Sequence, residues 1–417
     1  MPGIIARARV AAVAIAIIDD GQLTWSKVYG RQGPDTPATA RTLFNTASLG
    51  KTMTAETILR LVAKGAISLD EPLSSYWVDP DIADDPRHRL LTPRIVLTHQ
   101  TGFPNWRRLN KGGRLAFLHD PGTQYGYSGE GLVYLFRFVE QKLGRSYEDL
   151  VQEEVLDPIG LTETALSGRD WMAGHVAVPM DEYGEFREPE VNEAGGGNPA
   201  GDVFLTVTDF AKFMIGVMDG DGLSEELAAD RLRLQSDATT DPQWACAGTG
   251  NAACPDSIGY GLGWMRLVGK RTVMYHGGND WGEHALAYFY PDTHDGLVIF
   301  VNGGNGVFAA LDVTELIDEH QPITPFFREA LKGAATLRIV TTTTGSTTPA
   351  DLTFVIDNYH PVKIGATDTV MVQRQAPGER KVEIRGLPTG CQLEGPNPRS
   401  IEAAPGAVTD FAFQIRC

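Results

Sequence analysis

The sequence predicts an α/β fold in two parts: a large two-lobed domain, with an antiparallel sheet flanked by helices plus a helical lobe, and a small all-β sandwich after it. Three observations support this prediction. Segments in the middle of the chain have helical periodicity, three strand-like segments follow at hairpin spacing, and the composition turns Thr-rich near Gly333. With 417 residues, the chain is long enough for both parts. We predict domains over residues 1–332 and 333–417.

The first domain is predicted to begin with a short helix that runs into a strand, over residues 1–18 (MPGIIARARVAAVAIAII). The Asp-Asp-Gly sequence at 19–21 predicts a tight hairpin turn into a second strand that contains Leu23 and Trp25. Two arginines before an apolar stretch are also typical of an export signal, but no small-residue cleavage site follows. We therefore expect any export signal to lie outside this sequence.

Three later segments have the pattern of helices, and three more have the pattern of strands. The first helix places Ile58, Leu61 and Val62 on one face and ends at Gly65, so we predict a buried helix that starts near Ser48. The predicted helices are LGKTMTAETILRLVAKG (49–65), GEGLVYLFRFVEQKLG (129–144) and VTDFAKFMIGVMDG (207–220). The predicted strands are RTVMYH (271–276), HALAYFYP (284–291) and GLVIFVNG (296–303). Because these strands lie at hairpin spacing, they and the N-terminal strand predict one antiparallel sheet.

The region after Gly333 shows strand-like alternation and no helical pattern. Its first segment, IVTTTTGSTTPADL (339–352), is poor in charge and rich in β-branched residues. The apolar residues that alternate with polar ones further on are Val382, Ile384, Leu387, Phe411, Phe413 and Ile415. Short strands with Pro/Gly turns predict a small Ig-like β-sandwich, which we interpret as an accessory or spacer module.

The four cysteines fall into two local pairs, Cys246 with Cys254 and Cys391 with Cys417. We interpret both pairs as disulfides. Metal binding is the alternative, but neither pair has C-x-x-C spacing or a set of histidines nearby. Disulfides persist in oxidising compartments, so we predict an extracytoplasmic protein, either secreted or periplasmic.

Charge and composition narrow the possible partners. A formal net charge of −17 and a pI near 5.0 repel a phosphate backbone, which argues against nucleic acid as a partner. No apolar run is long enough to cross a bilayer. We predict a small-molecule ester or amide substrate, no cofactor and no metal, because His276, His284 and His294 fall on separate strands and no H-E-x-x-H helix is present. No sequence feature indicates an oligomeric state.

The strongest candidate for a nucleophile is Ser48, in the single S-x-x-K of the chain. On a helix, residues i and i+3 share a face, so the amine of Lys51 lies within reach of the Ser48 hydroxyl. A serine hydroxyl needs a base, and a buried lysine that loses its proton supplies one. Backbone N–H groups at the helix start, including that of Ser48, favour negative charge on a substrate oxygen. The alternative is an ordinary helix start with a solvated lysine.

Two further elements fit the same chemistry. Tyr127, in PGTQYGYSGEG directly before a helix, has a phenol that can relay a proton beside a lysine amine. The alternative is an aromatic ring packed at a helix entry. His276, Gly277 and Gly278 stand at the predicted end of a strand, where paired glycines let the backbone approach a substrate. The alternative is a strand end that enters a turn.

The order and spacing of these elements resemble the serine β-lactamase and penicillin-binding-protein superfamily, in particular its class C-like carboxylesterase branch. The resemblance covers almost the entire first domain. Its motifs are LFNTASLGKTMTAETILRLVAKGAISLDEPLSSYW (43–77), LTHQTGF (97–103), PGTQYGYSG (121–129), YGLGW (260–264) and HGGNDWG (276–282). It implies a β-lactamase-like fold in which Ser48 is acylated and Lys51 and Tyr127 share the work of general base and acid. It also implies that His276 borders the substrate and that backbone N–H groups of Ser48 and Asn279 form an oxyanion hole.

Two departures from the family pattern shift the expected chemistry. Gly129 stands where the family often has the Asn of Tyr-x-Asn, whose amide commonly contacts a β-lactam or peptide side chain. His276-Gly277-Gly278 stands where lactamases commonly have Lys-Thr-Gly, which removes a cation that holds a β-lactam carboxylate. We therefore expect a carboxylesterase for short-chain esters with weak or no β-lactamase activity. The alternatives are a D-amino-acid-type peptidase, such as a D-alanyl-D-alanine carboxypeptidase, and a non-catalytic sensor or binding protein.

Three other residues near these motifs receive different interpretations. Ser128 lies in GYSGEG, which is similar to the G-x-S-x-G elbow of α/β-hydrolases, but Glu130 stands where that motif needs glycine. For Glu130 itself we expect only a favourable charge at a helix N-terminus. We expect His99, in LTHQTGF, to organise its loop through hydrogen bonds rather than to transfer a proton.

Overall fold

The computed structural model divides by its internal contacts into two compact units, Met1–Thr324 and Pro325–Cys417. The domain boundary predicted at residue 332 stays a prediction. The residues that the structure describes are 1–181, 184–241, 244, 246–345, 348–350, 352–357, 362–375 and 377–417.

The first unit combines a sheet with helices, as predicted. Its described strands are β1 (Ala12–Asp19), β2 (Gln22–Gly30), β3 (Phe44–Asn45), β4 (Thr164–Ala165), β5 (Phe204–Leu205), β6 (Ser236–Asp237), β7 (Ser257–Tyr260), β8 (Met265–Val268), β9 (Thr272–Asp280), β10 (Glu283–Phe289) and β11 (Gly296–Asn302). Its described helices are α1 (Pro2–Ala8), α2 (Lys51–Ala63), α3 (Pro93–Leu97), α4 (Gly129–Leu143), α5 (Tyr147–Val151), α6 (Asp157–Ile159), α7 (Val207–Asp219), α8 (Glu225–Leu232) and α9 (Gly306–Ile317). A further helix, α10 (Ile323–Lys332), contains the division between the units.

The main sheet of the first unit is antiparallel throughout the described residues, in the order β2-β1-β11-β10-β9-β8-β7-β6. The prediction that the N-terminal strand joins three late strands in one sheet is confirmed. So is the hairpin after β1, because Asp20 and Gly21 both have positive φ, as a two-residue turn between twisted strands requires. The short strands β6 to β8, which extend the sheet beyond β9, were not predicted.

Helix α2 is the central helix of the first unit. The sequence predicted a buried helix, and the structure buries every residue from Lys51 to Leu61. It tolerates this burial because its polar side chains find partners. Glu56 accepts two hydrogen bonds of 2.9 Å from the buried Arg231, and the Thr54 hydroxyl donates to a backbone carbonyl oxygen at 2.7 Å.

Helices α4 and α7 begin and end as their sequences predict. The Ser128 hydroxyl caps α4 by accepting a hydrogen bond from the Gly131 N–H at 3.1 Å, and Thr206 caps α7 in the same way. Gly144 and Gly220 follow the two helices with positive φ, which favours glycine at the end of a helix.

Strand β9 extends further than predicted. The sequence placed its end at His276, because two glycines follow, but the strand continues to Asp280. Gly277 and Gly278 stay in the extended ladder and pair with residues of β10. The neighbouring strand β8 pairs with β9 only over residues 272–275, so among the described strands none pairs with the second half of β9 on that side.

After helix α10, the described part of the second unit is all-β, as predicted. Its described strands are β12 (Ala335–Thr344), β13 (Thr353–Ile356), β14 (Val362–Lys363), β15 (Asp368–Gln375), β16 (Gly378–Arg385), β17 (Gln392–Leu393), β18 (Arg399–Ala403) and β19 (Val408–Arg416). They form two described sheets, in the orders β15-β12-β19-β17 and β14-β13-β16-β18. Alternate residues point inward and are buried: Val382, Ile384, Phe411, Phe413 and Ile415.

Two observations concern the compartment and the membrane. Both predicted cysteine pairs, Cys246–Cys254 and Cys391–Cys417, are disulfides in the structure. In the part of the chain that the structure describes, no helix combines the length and the apolar character needed to cross a bilayer.

Candidate active site

The candidate nucleophile lies on a tight turn between strand β3 and helix α2. Ser48 belongs to a 3₁₀ turn over Ala47–Gly50, and Ala47 before it has a positive φ of 46°. Such a backbone conformation costs a non-glycine residue about 1–2 kcal/mol, so the surroundings must hold it. The Asn45 side chain does so by accepting a hydrogen bond from the Ala47 N–H at 2.9 Å. The turn therefore fixes the position of the Ser48 hydroxyl.

Lys51 lies next to Ser48, as the spacing predicted. Its Nζ is 2.9 Å from the Ser48 Oγ and also donates to the backbone carbonyl oxygen of Ala200. The side chain is only 2% exposed. Burial lowers the pKa of Lys51 to about 7, against the opposing effect of the negative charges of Asp202 and Asp280. A large fraction of the amine is therefore neutral near pH 7 and able to accept the serine proton.

Tyr127 lies beside the lysine, on the segment that leads into α4. The Lys51 Nζ is 5.3 Å from the centroid of its ring, and the ring is partly buried. The ring of His99 packs against it, with centroids 4.4 Å apart. His99 has a positive φ of 54°, and its Nδ1 accepts a hydrogen bond from the Ser128 N–H at 3.2 Å. His99 thus connects its own loop to the segment that carries Tyr127.

Ser128, the rival nucleophile, has the contacts of a helix cap. Its hydroxyl donates to the carbonyl oxygen of Pro104 at 2.8 Å and accepts from the Gly131 N–H. The side chain is buried. These bonds use both the donor and one acceptor site of the hydroxyl, which leaves Ser48 as the serine that contacts a buried amine.

His276 lies on strand β9, near Tyr127 and Lys51, and is almost fully buried. Its Nδ1 lies 2.8 Å from the carbonyl oxygen of Gly277, so this nitrogen carries the proton and donates it. The other ring nitrogen, Nε2, is buried and has no hydrogen-bond partner among the described residues. Burial, reinforced by the charge of Lys51, lowers the pKa of His276 to about 3. The ring is therefore neutral and offers an acceptor rather than a cation.

Gly278 lets strand β9 contact the turn that carries Ser48, which we call the nucleophile turn (residues 46–50). A Cβ atom at this residue would lie 1.9 Å from the carbonyl oxygen of Thr46 and 3.0 Å from the Leu49 nitrogen. Only glycine allows that approach. The next residue, Asn279, pairs with His284 of β10, and its side-chain oxygen lies 3.2 Å from the His284 Nδ1. Its place in an oxyanion hole stays a prediction.

Glu283, which was not predicted from the sequence, supports the nucleophile turn through the side chain of Asn45. It begins strand β10, is 8% exposed and hydrogen-bonds to the Asn45 side chain, which in turn holds Ala47. Burial raises the pKa of Glu283 well above its usual range, and the nearby charge of Asp280 acts in the same direction. Nothing in the local sequence distinguishes this glutamate from a solvated one at the start of a strand.

Trp106, the second residue missed, forms a wall of the site beside Lys51. The lysine Nζ is 5.8 Å from the centroid of the indole. The indole also covers Gly129, where an added Cβ atom would lie 2.8 Å from the ring carbon Cη2. The space next to Gly129 is therefore filled by an aromatic ring rather than by an amide. The glycine at 129 indicates that another group can occupy the space beside it, but the sequence does not indicate that this group is Trp106.

The structure brings the predicted site residues together around one centre. Tyr127, His276 and Lys51 have mutual ring or charge contacts, and Gly278 and Gly129 pack against the nucleophile turn and the wall. Among the described residues, no group of three or more His, Cys, Asp or Glu is placed to hold a metal ion. The arrangement is a serine hydroxyl in contact with a buried lysine amine, next to a tyrosine and a histidine.

Comparison with known proteins identifies the family. The model of the Beta-lactamase family matches residues 3–321. A lovastatin esterase of Penicillium rubens is 26% identical over 337 residues, which cover 64% of this chain and 83% of that protein.

Solved structures share the fold. The octameric penicillin-binding protein homologue from Pyrococcus abyssi aligns with a TM-score of 0.63 at 18% identity, over 97% of each chain. The D-amino acid amidase from Ochrobactrum anthropi SV3, solved with L-phenylalanine, aligns with a TM-score of 0.62 at 21% identity, over 79% of this chain and 96% of that chain. Since the family model spans nearly all of the first unit, the chain belongs to the Beta-lactamase family, within the serine β-lactamase and penicillin-binding-protein superfamily of serine hydrolases.

Proposed function

We propose that this protein is a carboxylesterase that cleaves small-molecule esters through an acyl-enzyme on Ser48. The observation that carries the proposal is the 2.9 Å contact between the Ser48 Oγ and the Nζ of a buried Lys51 whose pKa is lowered to about 7. A lysine in that state accepts a proton near neutral pH, whereas a solvated lysine does not.

Acylation follows from the positions of these groups. Neutral Lys51 takes the proton from the Ser48 hydroxyl as Oγ forms a bond to the ester carbonyl carbon. The carbonyl oxygen becomes an oxyanion, which accepts hydrogen bonds from the backbone N–H groups of Ser48 and Asn279. The bond to the alkoxy group then breaks, and Tyr127 passes a proton from Lys51 to the leaving oxygen. An alcohol departs and the acyl group stays on Ser48.

Deacylation uses the same residues in the reverse order of proton transfer. A water molecule gives one proton toward Tyr127 and Lys51 as its oxygen attacks the acyl carbon. The bond to the Ser48 Oγ breaks and the Oγ regains a proton, which releases the carboxylic acid. Donors that are already fixed for the oxyanion need no rearrangement in either half of the cycle.

Two features favour an ester over a β-lactam. The neutral ring of His276 offers no cation for a lactam carboxylate, and the Trp106 ring fills the space beside Gly129. The relative named lovastatin esterase is consistent with ester hydrolysis. The two disulfides support an extracytoplasmic location.

A second candidate function is hydrolysis of amides that carry a free ammonium group, as in D-amino-acid derivatives. The observation in its favour is the negative charge of Asp202 and Asp280, which acts on Lys51 at the centre of the site and would also attract a substrate cation. The similarity to a D-amino acid amidase is consistent with this alternative.

Kinetics on four substrates tests the proposal and the alternative. The substrates are p-nitrophenyl acetate, p-nitrophenyl butyrate, D-alanine p-nitroanilide and a chromogenic cephalosporin. We expect the esters to react fastest and Ser48→Ala to lose at least about 10,000-fold in kcat/KM. Faster cleavage of the D-alanine anilide would favour the alternative, and dominant cephalosporin hydrolysis would contradict both.

Labelling identifies the nucleophile independently of turnover. A fluorophosphonate adduct, located by intact mass and peptide mapping, is expected on Ser48 and absent from Ser48→Ala. A label on Ser128 would overturn the assignment. Absence of both label and turnover in the wild-type protein would instead support a non-catalytic binding protein.

A further inference from the structure

The segment that carries Trp106 is fastened to the first turn of helix α4. The backbone carbonyl oxygen of Asn105 accepts hydrogen bonds from the N–H groups of Gly129 and Glu130, at 3.1 and 3.0 Å. The Asn105 side-chain oxygen accepts a further bond from the Gly129 N–H at 2.9 Å. These bonds use N–H groups that a helix start leaves without partners inside the helix.

The residue after Trp106, Arg107, is held by an ion pair with Glu130. Glu130 accepts two hydrogen bonds from Arg107, one from its backbone N–H at 3.0 Å and one from its Nε at 2.9 Å. Arg107 also donates to Asp79 at 2.9 Å. The carboxylate side chains of Glu130 and Asp79 are each only 10% exposed. Partly buried charges that are paired on both sides hold their geometry better than exposed ones. We call Asn105, Arg107, Asp79 and Glu130 the clamp.

The clamp positions the indole between the catalytic amine and the surface. On one side the ring lies near Lys51, and it rests on Gly129, which has no side chain to push it away. The guanidinium of Arg108 lies 5.2 Å from the ring centroid. The ring is partly exposed, so it is both fixed and accessible.

We propose that Trp106 is a specificity-determining residue, which selects substrates with a flat apolar group near the bond that Ser48 attacks. The inference rests on the proposed function and adds a substrate class to it. A fixed indole beside the reacting centre binds a planar ring through offset stacking, which a saturated ring of similar size cannot match. Because Gly129 has no side chain, this part of the site has no amide at that position that would compete by hydrogen bonding.

Matched ester pairs test the proposal. The first pair, ethyl phenylacetate and ethyl cyclohexylacetate, differs only in the planarity of the acyl ring. The second, benzyl acetate and cyclohexylmethyl acetate, differs in the same way in the alcohol. Proton release is followed with a pH indicator. We expect wild type to prefer the planar member of at least one pair by about three- to tenfold in kcat/KM.

The variants connect that preference to the indole. We expect Trp106→Ala to remove the preference and Trp106→Phe to keep most of it. Gly129→Ala places a methyl group against the ring and should reduce the preference although Trp106 is retained. Glu130→Gln tests the clamp and should reduce it partially. Trp25→Ala is the matched control, because that tryptophan is 39% exposed on strand β2. The proposal is overturned when Trp106→Ala leaves both ratios within twofold of wild type.

A binding measurement separates failure of this inference from failure of the proposed function. In Ser48→Ala, calorimetry should show tighter binding of phenylacetamide than of cyclohexylacetamide, and the difference should disappear when Trp106→Ala is added. Equal binding of the two amides, together with ester ratios that Trp106→Ala leaves unchanged, would contradict the role of Trp106 but not the proposed esterase function. Tighter binding of the planar amide, without any ester turnover in the wild-type protein, would contradict the esterase function but not the role of Trp106.

Discussion

The two sides of the site contain similar ionisable residues, but one side favours their neutral forms and the other their charged forms. On the side of the sheet and α2, Lys51 and Glu283 lie in a buried environment that moves both pKa values toward the neutral form, to about 7 for the lysine and well upward for the glutamate. On the side of the wall, burial alone lowers the pKa of Arg107, but hydrogen bonds with Asp79 and Glu130 outweigh it and raise the pKa. Burial thus favours the neutral forms of Lys51 and Glu283, whereas hydrogen bonds keep Arg107 charged.

This comparison explains why the two sides should respond differently to substitution. A group that works by being neutral fails when it is replaced by a permanently charged one. A group that works by pairing fails when its partner is removed. The predictions below test this difference, starting with the largest effect.

Lys51→Arg should cost about 1,000- to 10,000-fold in kcat/KM for p-nitrophenyl acetate. The guanidinium stays protonated at any pH at which the protein is folded, so it cannot accept the Ser48 proton. Steady-state kinetics on the purified variant measures the loss. Lys64→Arg, on a lysine whose side chain is 58% exposed and pairs with Glu154, is the matched control and should stay within twofold of wild type. Activity of Lys51→Arg within tenfold of wild type would contradict the role of Lys51 as base.

Gly278→Ala should lower kcat by about 100-fold. The added Cβ atom would lie 1.9 Å from the Thr46 carbonyl oxygen, so strand β9 and the nucleophile turn must move apart. Displacement by a fraction of an ångström is enough to cost this much in a preorganised site. Gly269→Ala is the matched control, because its Cβ atom would meet nothing within 4 Å. Equal activities of the two variants would show that close packing of β9 on the turn is not needed.

The difference between the two sides also explains which parts were predictable from the sequence. Ser48 and Lys51 were predicted from spacing, because helix geometry brings residues i and i+3 onto one face. Tyr127 was predicted from its motif directly before a helix and from the order of the motifs along the chain. The membership of β1, β9, β10 and β11 in one sheet follows from apolar alternation and hairpin spacing, and the ends of α4 and α7 follow from Gly144 and Gly220.

Trp106 and Glu283 were not predictable in this way. Each acts on a residue distant in sequence, Gly129 for the tryptophan and Asn45 for the glutamate, and no local pattern encodes that contact. The extension of β9 beyond His276 was missed for a related reason. Glycines weaken a strand, and here the strand continues through them because Gly277 and Gly278 pair with Leu286 and Ala285 of β10.

The pH dependence of kcat/KM should show a rising limb near pH 7. Only the neutral form of Lys51 accepts a proton, so activity falls about tenfold per pH unit below its pKa of about 7. Rates on an ester between pH 5 and 9, corrected for spontaneous hydrolysis, locate the limb. Asp202→Asn removes one of the charges that raise this pKa, so the limb should move to lower pH. Asp219→Asn, beside His294, should not move it. A limb below pH 5 would point to a carboxylate base instead.

The smallest expected effect concerns Glu283. Burial raises the pKa of Glu283 well above its usual range, which favours the neutral carboxyl group, and the side chain hydrogen-bonds to Asn45. Glu283→Gln should therefore keep activity within about threefold of wild type. Glu283→Ala should lose more, because Asn45 then lacks the partner that helps it hold the Ala47 turn. Activity against p-nitrophenyl acetate checks both variants, and equal losses would show that this hydrogen bond does not support the nucleophile.

The pH dependence of stability provides a sharper test of the protonation of Glu283. Burial raises the pKa of Glu283 in the folded state, and nearby carboxylates act in the same direction: Asp280, Asp202 and Glu190. Below its unfolded pKa, near 4.3, both states are protonated and the stabilising contribution is complete. As the pH rises, the unfolded chain releases the proton first, so wild type loses up to about 1.4 kcal/mol per pH unit until the folded pKa is reached. Glu283→Gln should therefore lose less stability than wild type between pH 5 and 8 in chemical denaturation. Glu319→Gln, at a side chain that is 80% exposed, should follow wild type. Parallel curves for wild type and Glu283→Gln would mean that Glu283 is ionised in the folded protein, and that the two sides of the site do not differ as described.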